Sequence, residues 1–316
     1  MDQGHDDRGG QDGTWFPVGH TLHKYYIGTF EMKKIYFLSD AHLGSRASAD
    51  NREREKRLCR FLDSIRQDAS ALYLLGDIFD FWFEYHNLVP KGYTRFLGKL
   101  SELADEGIEV HFFTGNHDMW AFSYLSEECG VVLHSAPMEI SLPSLCGSPI
   151  AAYVGHGDGL GDPSRGFRFI RAIFHSRTCQ WLFRNIFPAD WGMEFGLRWA
   201  KSSRLKHSRN AVAENGDTLF VSENGEISNA LGDVLSRNIE TEEPFQGEVN
   251  EPLVIFSKQY LHDHPATSFF IFGHRHIELD LMLSRQARLL ILGEWIRKYT
   301  YAVWDGETML LDNYEN

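Results

Sequence analysis

The chain has 316 residues, 43% of them hydrophobic and 24% charged, with a formal net charge of −13. That composition is ordinary for a globular protein and is enough to bury a sizeable core in one large domain or two modest ones. It argues against broad nucleic-acid binding, which relies on Lys and Arg neutralising phosphates, and neither a membrane-length apolar run nor the basic and apolar start of a secretory signal is found.

Residues 1–31 are rich in Gly, Asp and His, show no apolar period and are expected to form a disordered leader. Met32-Lys33-Lys34 then looks like a natural start. Ile35–Leu38 reads as a short buried strand, and Leu58, Phe61, Leu62 and Ile65 recur at helical spacing. Ala71–Leu75 is the next strand. Phe96, Leu97, Leu100, Leu103 and Ala104 mark a second helix, closed by Gly107. Ile108–Phe113 and Ile150–Val154 are further strands. A long interruption follows before Phe269–Phe272, and the C-terminal part reads as consecutive strands over Ile277–Leu283, Arg288–Leu292, Tyr299–Trp304 and Met309–Leu311. Alternating strand–helix units followed by consecutive strands suggest stacked mixed sheets flanked by helices, an α/β or α+β architecture.

Five of these strands end in a short polar fragment: Asp40-Ala41-His42, Gly76-Asp77, Gly115-Asn116-His117-Asp118, Gly155-His156-Gly157-Asp158 and Gly273-His274-Arg275-His276. In stacked sheets, ligands gather beyond the carboxyl ends of the strands. Any one fragment alone reads as a strand-end turn, a helix cap or a satisfied histidine. Together they supply Asp, His and Asn in a number that suits two divalent cations. Such a pair needs a bridging anion, and a carboxylate can bridge through its two oxygens, which makes Asp77 the natural bridge. Asp40, His42 and one late histidine complete one site; Asn116, His156 and the other late histidine complete the second. Mixed imidazole and carboxylate ligation suits Mn, Fe or Zn better than Ca or Mg. A hydroxide held between two such cations can attack phosphorus in line, so the chemistry pointed to is phosphoester hydrolysis.

From Ile35 to Trp304 this set resembles the calcineurin-like metallophosphoesterase superfamily in motif order and residue types. The resemblance implies a four-layer αββα core of two mixed sheets. It places Asp40, His42, Asp77 and His276 on the first metal and Asp77, Asn116, His156 and His274 on the second. His117 would face the substrate phosphate as proton donor or charge stabiliser, oriented by Asp118.

A narrower resemblance, to the UDP-2,3-diacylglucosamine hydrolases of lipid A synthesis, comes from Gly76-Asp77-Ile78-Phe79-Asp80-Phe81-Trp82 and from a basic, aromatic-rich insertion. Some branches of that group carry Arg where this chain has His117. The resemblance implies Mn as the usual metal, an inserted cap that receives acyl chains, and cleavage to UMP and 2,3-diacylglucosamine 1-phosphate (lipid X).

The insertion is informative by itself. Between Ser164 and Arg209 there are ten Lys/Arg and two acids, a local charge of +8 within an acidic chain. Phe167, Ile170 and Phe174 share one helical face, and Trp181, Leu182, Phe183, Ile186, Phe187, Trp191, Phe195, Leu197 and Trp199 follow. Such a segment suits a lipid pocket or a membrane surface; the plainer reading is that these side chains bury one another. Lys201, Ser202 and Arg204 are candidates to hold a diphosphate or sugar, with Trp82 beside the metal fragments as a further substrate contact.

The resulting expectation divides the chain into the leader 1–31, a core of 32–163 and 251–316, a helical lipid-binding cap 164–213, and a polar mobile insertion 214–250. The expected activity is hydrolysis of an acylated UDP-sugar by a dimetal centre, most readily Mn with Fe or Zn as substitutes. Four scattered cysteines without a C-x-x-C pair fit a reducing cytoplasm, so the expected place is the cytoplasmic face of the inner membrane, held peripherally. Two other readings stay open: a hydrolase of soluble nucleotide diphosphates or cyclic nucleotides, and a non-catalytic scaffold. The full ligand set weighs against the scaffold. Oligomeric state is not legible.

Overall fold

The computed structural model describes residues 15–18, 21–24, 32–45, 50–161, 176–186, 188–192, 194, 196–198 and 245–315. Residues Lys33–Asn316 form one unit. Within the segment 1–31, expected to lack structure, Trp15–Val18 (β1) pairs antiparallel with Thr21–Lys24 (β2), Val18 opposite Thr21. The short run Trp15–Val18 is a strand signal that the polar composition of the leader obscured.

The larger unit is built on two mixed sheets. The first contains β3 (Lys34–Leu38), β4 (Ala69–Leu75), β5 (Glu109–Phe113), β6 (Val132–His134), β12 (Thr300–Trp304) and β13 (Met309–Asn313), in the order β13-β12-β3-β4-β5-β6. Strands β3 to β6 run parallel, and β12 and β13 close one edge antiparallel. The second contains β7 (Met138–Leu142), β8 (Ile150–Gly155), β9 (Thr267–Phe272), β10 (Glu278–Met282) and β11 (Arg288–Leu292), in the order β10-β11-β9-β8-β7, with β8, β9 and β11 parallel.

Side-chain alternation along each strand explains the layering, because successive residues point to opposite faces. On β3, Ile35 and Phe37 join a core with Tyr73, Phe113, Val154, Phe269, Ile271, Leu290 and Trp304, which lies between the two sheets. Tyr36 and Leu38 point the other way, with Leu72, Leu74 and Phe112, against helices α1 (Asn51–Ile65), α2 (Thr94–Asp105) and α3 (Tyr124–Cys129). On the second sheet, Phe270, Phe272, Leu289 and Ile291 pack on Leu253 and Val254 of the helix Pro252–Asp263. Helix, sheet, sheet, helix is the four-layer αββα arrangement. Buried on both faces, these strands read as near-continuous apolar runs, which made them visible in the sequence.

Of the insertion, helix α4 (Arg177–Ile186) is described; the helix Pro252–Asp263 is α5. Helix α4 lies on the core through Phe183, whose ring is 5.1 Å from Phe83 and 5.0 Å from Trp120. The Arg184 guanidinium sits 4.8 Å over the Phe122 ring. Trp181, Leu182 and Ile186 on the same helix are exposed, as is Trp191 beyond it. The residues expected on the first cap faces (Phe167, Ile170, Phe174), the substrate candidates Lys201, Ser202 and Arg204, and the stretch 214–244 lie outside the described residues.

Candidate metal centre

Asp40 follows β3, Asp77 follows β4, Asn116 and His117 follow β5, His156 follows β8, and His274 and His276 follow β9. The first three strands are parallel neighbours in one sheet and the last two in the other, so all five fragments meet at one end of the sandwich. Beyond the strands the loops continue to pair: Asp40 N–H donates to the Gly76 carbonyl at 3.1 Å, His42 N–H to Asp77 at 2.9 Å, Trp82 N–H to His117 at 3.2 Å and Gly273 N–H to His156 at 3.0 Å. The approach at Gly76 (φ 84°) is close enough that a Cβ there would lie 2.7 Å from His156 Nδ1 and 2.8 Å from the Gly115 nitrogen. Only glycine fits. Asp40, His42, Asp77, His274 and His276 all have φ between 43° and 69°, a left-handed backbone that non-glycine residues adopt at a cost and that clusters at functional sites.

Two groups of donor atoms result. In the first, His276 Nε2 lies 3.1 Å from Asp40 Oδ1 and 3.1 Å from His42 Nε2. In the second, His156 Nε2 is 3.3 Å from Asn116 Oδ1 and 3.3 Å from Asp77 Oδ2, and the His274 ring stands edge-on to His156 with centroids 5.1 Å apart. Asp77 Oδ2 is also 3.9 Å from His42 Nε2, so it lies between the groups. Its other oxygen accepts the His117 N–H at 2.8 Å. In place of the expected bridge through both oxygens, a single oxygen faces both groups while the second is held by the backbone.

These residues fit a pair of divalent cations. Asp40 Oδ1 is buried and has no hydrogen-bond partner among the described residues, although its Oδ2 accepts from Ser39 Oγ at 2.5 Å and from His274 N–H at 2.9 Å. Orphaned buried carboxylate oxygens are rare, and this one faces imidazole nitrogens. The rings are braced for ligation: His156 Nδ1 donates to the Leu75 carbonyl at 2.9 Å, leaving Nε2 for a metal. Burial would push His156 down, yet the Asp77 carboxylate carries it well above the ordinary imidazole value; the two carboxylates and His274 show the complementary shifts. Burial alone would push the Asp40 and Asp77 carboxyls up, yet the surrounding histidines hold both well below the ordinary carboxylate range. Burial and the neighbouring His156 push His274 down to about 4, so that it is a neutral imidazole, the ligating form.

His117 lies at the mouth of this arrangement. Its Nδ1 donates to the Asp80 carbonyl at 2.8 Å, and Nε2 is turned to the centre, 4.0 Å from Asp77 Oδ2. Asp118, expected to orient His117, is placed otherwise. Its carboxylate accepts the N–H groups of Gly115 at 2.6 Å, Ile78 at 2.9 Å, Asp77 at 3.3 Å and Phe79 at 3.4 Å. It therefore clamps two strand-end loops, and the Asp80 carbonyl holds the His117 ring. Burial first, and then the charge of Asp77, push its carboxyl up to about 7.

Trp82, expected to contact substrate, is 1% exposed and stacks on Phe79 at 4.4 Å, with Nε1 donating to Glu84 at 3.1 Å. It has no surface left for a ligand, because the loop after Asp77 turns this ring back into the core.

Sequence reasoning missed three supporting residues. Asp80 places Oδ1 3.5 Å from His42 Nδ1, behind that ring; its position three residues after Asp77 in a fragment already singled out was the available signal. Ser39 steadies Asp40, as above. Arg54 of α1, 5% exposed, donates to the His42 carbonyl at 3.1 Å, and it could have been noticed as a charge on the apolar stripe of Leu58, Phe61, Leu62 and Ile65.

A family model for calcineurin-like phosphoesterases matches residues 33–293. A Porphyromonas gingivalis protein named UDP-2,3-diacylglucosamine hydrolase is 40% identical over 284 residues, which is 90% of this chain and 98% of that protein. Proteins of the same name from Edwardsiella ictaluri and Neisseria meningitidis are 30% and 31% identical over 176 residues, covering 64% and 69% of their own lengths. With the family match running from the first strand of the sheets past the last histidine of the site, the chain belongs to the calcineurin-like phosphoesterase family.

Proposed function

We propose that the chain hydrolyses the pyrophosphate of UDP-2,3-diacylglucosamine to UMP and 2,3-diacylglucosamine 1-phosphate, a step of lipid A biosynthesis. The observation that carries the substrate class is the match along 98% of a hydrolase of that name, rather than along the metal fragments alone. When bound, two divalent cations supply Lewis-acid stabilisation of the phosphoryl oxygens and lower the pKa of an attacking water. Asp40, His42, Asp77 and His276 would hold one cation, and Asp77, Asn116, His156 and His274 the other. The mixed oxygen and nitrogen donors favour Mn, with Fe or Zn as substitutes.

His117 handles the proton. With Nδ1–H committed to the Asp80 carbonyl, Nε2 faces the phosphate and can donate to the leaving oxygen once protonated. The Asp118 clamp keeps Asp77 and Asn116 at a fixed separation, so the reacting groups are positioned in advance.

The acyl chains suit the cap. Helix α4 sits on Phe83 and Trp120, and the adjoining Trp82 and Glu84 backbones bond to His117 and Trp120. Gly192 and Gly196 leave room for Tyr85 and Phe81, next along the same loop, to pack directly against the cap. The outward side chains Trp181, Ile186 and Trp191 are 59%, 63% and 71% exposed among arginines, a pattern that suits docking on an anionic membrane surface. Among the described residues no helix is long and apolar enough to cross a membrane. The exposed aromatics among arginines and an acylated substrate support a peripheral enzyme at the cytoplasmic face of the inner membrane.

Incubation of Mn-loaded protein with UDP-2,3-diacylglucosamine, read by mass spectrometry, should yield UMP; water enriched in oxygen-18 identifies the phosphorus attacked. No UMP from a metal-loaded sample would sink the assignment, and equal turnover of unacylated UDP-sugars would point to a soluble substrate instead.

A further inference from the structure

The loop that carries two of the site histidines is held from behind by a buried ion pair. Arg275 lies between His274 and His276, whose φ values are 69° and 54°. Its own N–H is used locally, on the Gly273 carbonyl at 2.8 Å. Gly273 N–H bonds to His156 and His274 N–H to Asp40, which fixes the side of the loop facing the centre. The opposite side is fixed by the Arg275 side chain. Its Nε donates to Glu251 Oε1 at 2.7 Å and its Nη2 to Oε2 at 3.3 Å. The Glu251 side chain is fully buried, and that of Arg275 is 11% exposed. A two-point fork of this kind sets direction as well as distance.

Glu251 has a particular place in the chain. It immediately precedes α5, where the backbone re-enters the core after the long insertion. Its N–H donates to Gly247 at 2.9 Å and its carbonyl accepts from Ile255 at 3.0 Å. At the other end of the insertion, Gly161 lies so close to the Pro252 carbonyl that a Cβ would collide with it. The chain's exit from the core, its return, and the histidine loop therefore meet at one point. A buried ion pair is weak evidence for stability, since well-packed apolar side chains of similar volume commonly do as well. What the fork supplies that an apolar pair would not is a defined orientation for the backbone on either side of Arg275.

We propose that Glu251 is a positioning residue for the metal centre: acting through Arg275, it holds His274 and His276 in the orientation in which each serves one cation. The proposal rests on the two-cation reading of the site, not on the identity of the substrate.

The test uses the full chain, stripped of metal and titrated with Mn2+ alone, with free Mn2+ followed by electron paramagnetic resonance. Wild type should take up two equivalents. Glu251→Asp keeps the charge but shortens the side chain by one methylene, so the fork cannot close without moving the loop. Both equivalents should weaken together, by about 10–100-fold, the range seen when groups behind metal ligands are altered, while the melting temperature without metal stays near that of wild type. The double variant E251L/R275M removes the pair without leaving a lone buried charge and should show the same loss. Wild-type Mn2+ affinity in either folded variant overturns the proposal. So does a loss of affinity that merely tracks a collapse of the metal-free melting temperature in both. A wild type that binds no Mn2+ would instead overturn the two-cation reading.

Discussion

Replacing Asp118 by alanine tests which of two roles this residue has. In the structure its carboxylate takes up four buried backbone N–H groups, those of Gly115 and Ile78 at 2.6 and 2.9 Å and those of Asp77 and Phe79 at 3.3 and 3.4 Å. Alanine leaves all four without an acceptor in a site that is 0% exposed. With its carboxyl pushed up to about 7, Asp118 is not wholly charged at neutral pH, so the loss is set by the penalty of leaving a buried donor unsatisfied, about 1–3 kcal/mol each. Counting mainly the two short bonds, the expected loss is about 4 kcal/mol. For a domain of this size that corresponds to a fall in melting temperature of about 10 °C. The measurement is thermal and urea unfolding of Asp118→Ala in excess chelator, so that metal binding does not contribute. If the variant melted within about 2 °C of wild type and yet lost turnover as severely as a His117 variant, Asp118 would be acting on His117 and the clamp would be wrong.

Three further outcomes are expected. Asp77→Ala should abolish uptake of both equivalents of Mn2+, since Asp77 Oδ2 lies between the two donor groups; a variant that still bound one equivalent at wild-type affinity by calorimetry would refute the shared position. His117→Ala should retain both metals and slow turnover by about 10²–10⁴-fold, as for loss of a general acid, and unchanged kcat would remove it from the mechanism. His111 Nδ1 and His134 Nε2 stand 3.1 Å apart, and burial holds both rings below the ordinary value of 6.5, with His111 adding to the effect on His134. The folded state then binds fewer protons than the unfolded one, so this contribution to stability is present above pH 6.5 and is lost as pH falls through the lowered values. The urea midpoint of wild type should therefore fall more steeply between about pH 7 and pH 5 than that of His111→Phe/His134→Phe; parallel curves would contradict it.

The sequence made the strands legible where they are buried on both faces. Ile35–Leu38, Ala71–Leu75 and Phe269–Phe272 are apolar runs closed by Gly or a polar ligand, and each ends within two residues of its expected place. Strands β6 and β7 were less visible, because Val132 and Met138 are exposed and neither strand carries an unbroken apolar run. Residue types pointed to the donor set, but not to the direction of each side chain. Trp82 and Asp118 show why. Both lie in loops, where neither a period of two nor one of 3.6 fixes orientation, and both turn inward because the loop backbone needs their packing or their oxygens. Arg54 was hidden for the opposite reason. On a helix surface a charge is usually solvated, and only the loop passing behind Ala41 and His42 makes this one buried.

The left-handed backbone at Asp40, His42, Asp77, His274 and His276 has a consequence for variant screening. Each such position would relax if replaced by glycine, and Asp or His there is retained against that local preference. A search for heat-resistant variants of the metal-stripped chain would therefore be drawn toward substitutions that empty the site, an instance of stability gained at the expense of activity. The same search carried out with Mn2+ present would be drawn the other way, because a ligand that binds only the folded state adds its own binding free energy to stability. Selection for endurance and selection for catalysis would then agree on these five residues when the cation is supplied, and disagree when it is withheld.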